Sequence, residues 1–281
     1  MEWVDRLNAA IQFIEDHLTE ETDYGQLAKI ACCSVYHYQR MFAYMAGVPL
    51  SEYIRRRRMS RAAVDLQNGM KVVDAALKYG YQSPTAFNRA FQSVHGIAPS
   101  AVRDGNAPVK SFPPLRFTMT IKGAEEMEFR IEKREAFQIL GISAPLDRDL
   151  EKNFAVVPQM WGRAASDGTI QRLAELMDGQ PAGLLGVSAC QENEDWRYFI
   201  AVASGQTAEG FETYTVPAAA WAVFPGRGTN LSLQELERRI VTEWLPTSGY
   251  AYGRAPDIEV YLNPDPENAV YEVWIPVVKA D

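Results

Sequence analysis

Cysteine and histidine are both scarce in this sequence. The 281 residues include three cysteines and three histidines. Cys32 and Cys33 are adjacent and Cys190 lies far from them, which gives neither a disulfide framework nor a zinc-ligand spacing. The histidines form no HExxH motif and no paired-ligand pattern. We therefore expect no metal site and no cofactor.

Long apolar runs are missing as well. No run approaches the roughly 18 residues that a membrane helix needs. The first residues carry early acids and lack the apolar region of a secretory signal, so we expect a cytoplasmic protein without a membrane partner. The composition, 47% apolar and 23% charged, fits packed globular domains rather than disorder. The length favours two domains.

Charge is distributed unevenly along the chain. The net charge of −8 argues against nucleic acid as a partner. Residues 29–103, however, hold 11 Lys and Arg against 3 Asp and Glu, whereas residues 111–281 hold 15 against 25. A basic block inside an acidic chain is the electrostatic footprint of nucleic-acid binding, although a solvated helix surface gives the same count.

The basic block repeats itself at a distance of 49 residues. The shift pairs Ser34 with Ser83, Tyr38 with Phe87, Arg40 with Arg89, Phe42 with Phe91 and Gly47 with Gly96. In each copy the serine suits a helix N-cap, the aromatic residues recur at i and i+4 on one buried stripe, and the glycine suits the position after the helix. Each copy therefore predicts one helix.

A shorter helix is predicted before each of these two helices, at about 24–31 and 72–79. Two short helices joined by a tight turn form a helix-turn-helix, whose second helix can enter a DNA major groove. A longer helix at about 51–67 separates the two units, and an amphipathic helix precedes both. With two such units, one chain can reach two successive major grooves about 34 Å apart.

The segment Ala75–Phe91 followed by Gly96–Pro99 resembles the signature of the AraC/XylS family of bacterial transcription regulators. The resemblance covers roughly residues 3–104. Ser34–Phe42 is similar to the first recognition helix of that family. Cys32 departs from the pattern, because the family usually has glycine in this turn.

The resemblance implies DNA-contacting residues on both recognition helices. The first reading set is Tyr36, Gln39 and Arg40, together with His37, which we expect to contact the groove side or a phosphate rather than a metal. The second reading set is Thr85, Asn88 and Arg89. We expect these side chains to be exposed beside the buried stripe. Arginine can contact guanine through two hydrogen bonds and glutamine can pair with adenine. Alternatively, Arg40 and Arg89 bind phosphate or cap a neighbouring helix.

The pattern changes beyond residue 104. Residues 107–124 are predicted to be a linker between an all-α domain at 1–106 and an α+β domain at 125–281. Strand-like alternation occurs near 129–139 and 258–262, and helices are predicted near 154–165, 171–177 and 232–244. Internal matches at +84 and +75 residues predict two similar halves. These halves would form one pseudo-twofold antiparallel sheet with helices on one face and a groove between them.

This second region is similar to the GyrI-like effector-binding domain. The resemblance is carried by Phe129–Glu132, Asp257–Tyr261 and above all Tyr271–Val277. It implies a groove for small, lipophilic or cationic molecules, in which aromatic side chains and an acid hold a cation. The resemblance gives Glu272 the role of the central acid. The other predicted groove residues are Trp274, Glu259, Tyr261, Trp221, Trp161 and Tyr198. The alternative is that each glutamate is simply solvated on a surface strand.

These features favour a transcription regulator that senses a small molecule and is not an enzyme. The expected partners are double-stranded DNA, a small-molecule effector and RNA polymerase, with the chain a monomer or a homodimer. One alternative is a hydrolase of small electrophiles in which Glu272 activates water, although no Cys/His or Ser/His partner is apparent. Another is a DNA-binding protein whose second domain contacts only other proteins.

Overall fold

A computed structural model describes residues 3–103, 105, 107–118, 126–153, 155–190, 195–265 and 267–280. The packing divides the chain into two units. The first unit comprises Met1–Ala31 and Ala46–Met119, and the second comprises Cys32–Met45 and Thr120–Asp281. None of the described helices is both long and apolar enough to cross a membrane.

The N-terminal hundred residues are helical, as predicted. The helices are α1 (Trp3–Asp16), α2 (Tyr24–Ala31), α3 (Val35–Ala46), α4 (Leu50–Gln67), α5 (Val72–Lys78), α6 (Pro84–His95) and α7 (Pro99–Arg103). All of them except α3 belong to the first unit. Cys32, in the turn before α3, has a φ of 56°. Glycine adopts that left-handed conformation most easily, which explains why the family usually has glycine at this position.

Helix α6 begins and ends as its sequence predicts. The Ser83 hydroxyl accepts a hydrogen bond from the Ala86 N–H at 3.1 Å, and Pro84 occupies the first turn. Gly96 ends the helix with a φ of 79°. Phe87 and Phe91 are fully buried and join Met59 of α4 in the core of this unit.

Part of the predicted linker packs against the first unit. The Phe112 N–H donates to the Ser60 hydroxyl at 3.0 Å, and the Phe117 N–H donates to Asn8 Oδ1 at 2.8 Å. These contacts hold residues 107–118 against α4 and α1. The rest of the predicted linker, 119–124, lies outside the described residues.

The second unit contains the predicted α+β region. Its strands are β1 (Arg130–Arg134), β2 (Phe137–Pro145), β3 (Leu184–Ala189), β4 (Arg197–Ala203), β5 (Glu212–Val216), β6 (Ala219–Gly228), β7 (Tyr250–Tyr252), β8 (Asp257–Asn263) and β9 (Ala269–Lys279). Its further helices are α8 (Val156–Ser166), α9 (Thr169–Leu176) and α10 (Asn230–Arg239). A single π-helical turn, Ile240–Trp244, continues α10. The predicted start of α8 at Phe154 lies outside the described residues.

The sheet is antiparallel and pseudo-twofold, which confirms the predicted fold class. Its order is β1-β6-β9-β8-β3-β4-β2-β5, with β7 paired to β9. The two halves meet where β3 pairs with β8. Each half begins with two strands, β1 and β2 in the first half and β5 and β6 in the second. The first strand of each half pairs with the other half, because β1 lies beside β6 and β5 lies beside β2.

Candidate functional site

The second unit contains a cavity of about 640 Å³ that is partly open to solvent. This volume is within the range of ordinary small-molecule sites. One side is the sheet, through side chains of β3, β4, β8 and β9. Helices α8, α10 and α3, the segment 146–153 and the loop after β8 line the rest of it.

Glu259 on β8 lies among three aromatic side chains, those of Tyr261, Tyr198 and Trp161, and the four residues are called the Glu259 group below. Its Oε2 accepts hydrogen bonds from the Tyr261 hydroxyl at 3.0 Å and from the Tyr198 hydroxyl at 3.3 Å. The Trp161 indole N–H donates to the Tyr198 hydroxyl at 2.9 Å. All four of these predicted groove residues line the cavity.

A glycine creates the space for this group. Gly186 on β3 lies directly opposite Glu259 on β8. A Cβ at Gly186 would lie 2.3 Å from the Tyr198 hydroxyl and 2.8 Å from Glu259 Oε2, closer than atoms can approach. Any larger residue would therefore push the tyrosine and the glutamate apart. The sequence pattern did not single out Gly186.

The surroundings of Glu259 make its carboxyl harder to ionise than usual. Burial raises its pKa, and repulsion from Glu237 on α10 adds to the effect. Arg40 and the hydrogen bonds from Tyr261 and Tyr198 act in the opposite direction, and the resulting pKa is about 7. A positive ligand beside Glu259 would favour the ionised form.

The strand register puts Glu272 on the opposite face of the sheet from Glu259. Val260 of β8 lies opposite Glu272 of β9, and Glu259 lies opposite Val273. Opposite residues of an antiparallel pair share a face and neighbours along a strand alternate, so Glu259 and Glu272 point away from each other. This corrects the expected central position of Glu272, which does not line the cavity.

Glu272 has its own partners. Arg130 donates to both carboxylate oxygens, at 2.9 and 3.1 Å, and the Trp274 indole donates to Oε2 at 2.9 Å. The ring of Trp274 packs beside Trp221, and both tryptophans are buried in the core rather than in the cavity. Their predicted places in the groove are corrected in the same way.

The first reading set is buried, contrary to expectation. Tyr36, His37 and Gln39 are only 8%, 4% and 2% exposed. The side chain of Arg40 is 13% exposed. The reason is that α3 packs within the second unit, and the face beside its aromatic stripe is covered there.

Two acids of the second unit, Asp257 and Glu237, contact polar side chains of α3. Asp257, the first residue of β8, accepts from Arg40 Nη1 at 2.7 Å and lies 3.1 Å from His37 Nε2. Glu237 on α10 accepts from Arg40 Nη2 and from the Tyr44 hydroxyl. Burial by itself would raise the pKa of Asp257, but His37 and Arg40 outweigh it and hold the pKa below its usual value.

The other two members of the first reading set also use their polar atoms inside this unit. The Tyr36 hydroxyl donates to the Ser188 hydroxyl at 2.9 Å. The Gln39 amide donates to the Arg148 carbonyl at 2.6 Å and accepts from the Leu150 N–H at 3.3 Å. Only the pattern Asp257–Tyr261 carried a sequence signal for any of these partners.

Two of the three members of the second reading set are exposed, as expected. Thr85 and Arg89 are exposed and Asn88 is half-buried, all on α6. Their spacing of three and four residues puts them on one face of the helix. This face lies beside the fully buried Phe87 and Phe91.

These features define a class of protein: a helix-turn-helix DNA-binding region joined to a small-molecule binding domain. Residues 127–278 match the GyrI-like small molecule binding domain family, and residues 27–105 match a helix-turn-helix domain family. The chain belongs to the GyrI-like family and carries an AraC-type helix-turn-helix region of the kind found in transcriptional regulators.

Several known proteins are similar to parts of this chain. The HTH-type transcriptional activator AarP of Providencia stuartii is 38% identical over 98 residues, which are 34% of this chain and 73% of AarP. The transcriptional regulator Rob of Salmonella typhimurium is 34% identical over 107 residues, which are 37% of each chain. A solved structure with bound tetraphenylphosphonium is 21% identical, with a TM-score of 0.48, over 54% of this chain and 94% of that one.

Proposed function

We propose that this regulator responds to a small lipophilic cation, which is held in the cavity by Glu259. The observation that carries the proposal is the position of a half-buried carboxylate, that of Glu259, among Trp161, Tyr198 and Tyr261. Aromatic rings attract a cation through their faces and supply apolar contact area. A partly desolvated carboxylate adds a charge-assisted contact, which is roughly twice as strong as a neutral one.

The proposal extends to DNA. The second reading set on α6 contacts the duplex, where Arg89 reads a base or binds phosphate. The first reading set contacts DNA when α3 is free of its partners in the second unit. We also propose RNA polymerase as a partner and a cytoplasmic monomer or homodimer.

The experiment is a calorimetric titration of the full-length chain with tetraphenylphosphonium, a permanent lipophilic cation, at pH 8. Triphenylphosphine oxide serves as a neutral aromatic analogue. Glu259→Gln keeps the shape of the side chain but removes its charge, so the affinity for the cation should fall at least about fivefold. The affinity for the neutral analogue should change much less.

Glu272→Gln is the matched control, because it makes the same substitution on the neighbouring strand and the opposite face. It should leave the affinity for the cation unchanged. If Glu272→Gln weakens cation binding and Glu259→Gln does not, the assignment of the central acid is refuted. If the neutral analogue binds the wild type better than the cation, the effector is not a cation.

A second candidate function is hydrolysis of small electrophiles, and one observation favours it. Glu259 has a pKa of about 7, which suits a general base near neutral pH. We propose that the protein is nevertheless a sensor rather than an enzyme, because the chain carries a DNA-binding region. Incubation with p-nitrophenyl acetate and with styrene oxide should give no turnover. Turnover that Glu259→Gln abolishes would establish the enzyme instead.

A further inference from the structure

We propose that α3 is a built-in competitor of the effector: in the free protein Arg40 lines the cavity and binds Glu237 there, and a bound cation releases the first reading set for DNA. The proposal concerns regulation and rests on the proposed function in treating the cavity as the effector site. It is based on the contacts that α3 makes within the second unit.

The surroundings of Arg40 have the chemistry of a cation site. Its guanidinium group is bound by two carboxylates, those of Asp257 and Glu237. It also lies 6.0 Å from the centre of the Tyr36 ring and 5.7 Å from the centre of the Tyr44 ring. Acids and aromatic rings around a positive group are what a lipophilic cation requires as well.

This Arg40 site and the Glu259 group open into the same space. Arg40, Tyr36, Tyr44 and Glu237 all line the 640 Å³ cavity together with Glu259. Glu237 and Arg40 are close enough to influence the ionisation of Glu259. A second positive charge in this space would repel Arg40 and compete with it for Glu237. The effector and the docked form of α3 therefore oppose each other.

While α3 is packed within the second unit, its docked form, the polar atoms that would contact DNA are already hydrogen-bonded. The polar atoms of Tyr36, Gln39 and Arg40 are engaged by Ser188, by the Arg148 carbonyl, and by Asp257 with Glu237. The same side chains would have to leave these partners before they reached base edges. The free protein thus presents the second reading set alone, whereas the released form presents both.

The direction of regulation follows by linkage. An effector shifts the population only because it binds the released form better than the docked form. Tetraphenylphosphonium should therefore strengthen DNA binding. By reciprocity, anything that weakens the docked form should strengthen the binding of both DNA and the cation.

Histidine labelling reads the position of α3 directly. The chain has three histidines, and His37 and His95 are both buried, 4% and 5% exposed. His37 lies on α3 against Asp257, whereas His95 lies on α6 against the Met59 carbonyl and serves as the matched control. In the full-length protein treated with diethyl pyrocarbonate, tetraphenylphosphonium should raise the labelling rate of His37 at least about fivefold, the low end of typical coupling. The rate at His95 should not change.

Asp257→Asn tests the inference without any ligand. It weakens the bonds to Arg40 and His37 and does not alter a residue that lines the cavity. Labelling of His37 should rise, and the affinity for a duplex selected in vitro on the full-length chain should rise at least about fivefold. The affinity for tetraphenylphosphonium should also rise, whereas a merely structural role for Asp257 would lower it. Glu272→Gln should change none of the three.

The outcomes separate this inference from the proposed function. If the cation binds but His37 stays protected and DNA affinity does not change, the competitor role of α3 is overturned while the effector site stands. If the cation does not bind, the effector site fails, and the Asp257→Asn measurements on labelling and DNA still decide the role of α3. Should Asp257→Asn fail to fold, the labelling of the wild type with and without the cation decides it.

Discussion

The two recognition helices, α3 and α6, are copies of one sequence pattern in different surroundings. Each has a serine cap, because Ser34 Oγ accepts from the His37 N–H and Ser83 Oγ accepts from the Ala86 N–H. Each buries an aromatic stripe, which includes Phe42 in α3 and Phe91 in α6. The faces that carry the reading sets differ in exposure, since the second reading set is largely exposed and the first is buried.

This difference shows which part of a repeat its local sequence determines. The caps and stripe depend on neighbours within the helix, so both copies form them. The environment of the outward residues depends on partners far along the chain: Arg40 meets Asp257 217 residues later. Equivalent arginines at Arg40 and Arg89 therefore have different surroundings.

Among the substitutions that test the difference between the two helices, Arg40→Ala should have the largest effect, and this effect is on the stability of the protein. It leaves Asp257 and Glu237, whose side chains are only 5% and 6% exposed, without their cation. The free energy of unfolding should fall by about 3 kcal/mol, the low end for a broken buried ion pair, because release of α3 lets water reach the acids. Urea denaturation checks this. A loss below about 1 kcal/mol would mean that the ion pair contributes no more than a surface pair.

Arg89→Ala should have a smaller effect, and on DNA binding rather than on stability. Its side chain is exposed, so urea denaturation should be almost unchanged. The affinity for a selected duplex should fall by about 1–3 kcal/mol if Arg89 contacts a base. A loss that is equal on selected and random duplexes, with a shallower salt dependence, would assign Arg89 to phosphate instead. Unchanged affinity for both duplexes would mean that Arg89 does not contact DNA.

Much of the fold could be predicted from the sequence because the relevant signals are local. Helix caps, aromatic spacing and the two internal repeats predicted the helices of the first hundred residues and the pseudo-twofold sheet. The pairing of β1 and of β5 with the opposite half of the sheet could not be predicted, because it joins segments that are distant in the sequence.

The candidate site was predictable only in part, for the same reason. Alternation along a strand correctly grouped Glu259 with Tyr261, and separately Glu272 with Trp274. It could not say which group faces the cavity, because that depends on the register of β8 against β9. The motif resemblance favoured Glu272, whereas the structure gives the cavity position to Glu259. The space left by Gly186 likewise depends on its partner across the sheet.

The most direct test of Glu259 as the central acid is the pH dependence of cation binding. Its pKa of about 7 means that the carboxyl is mostly protonated at pH 6 and mostly ionised at pH 8. A cation favours the ionised form, so the calorimetric affinity for tetraphenylphosphonium should rise about tenfold from pH 6 to pH 8. Glu259→Gln should abolish most of this rise, and Glu272→Gln should preserve it. Equal wild-type affinities at the two pH values, or an undiminished rise in Glu259→Gln, would contradict the account.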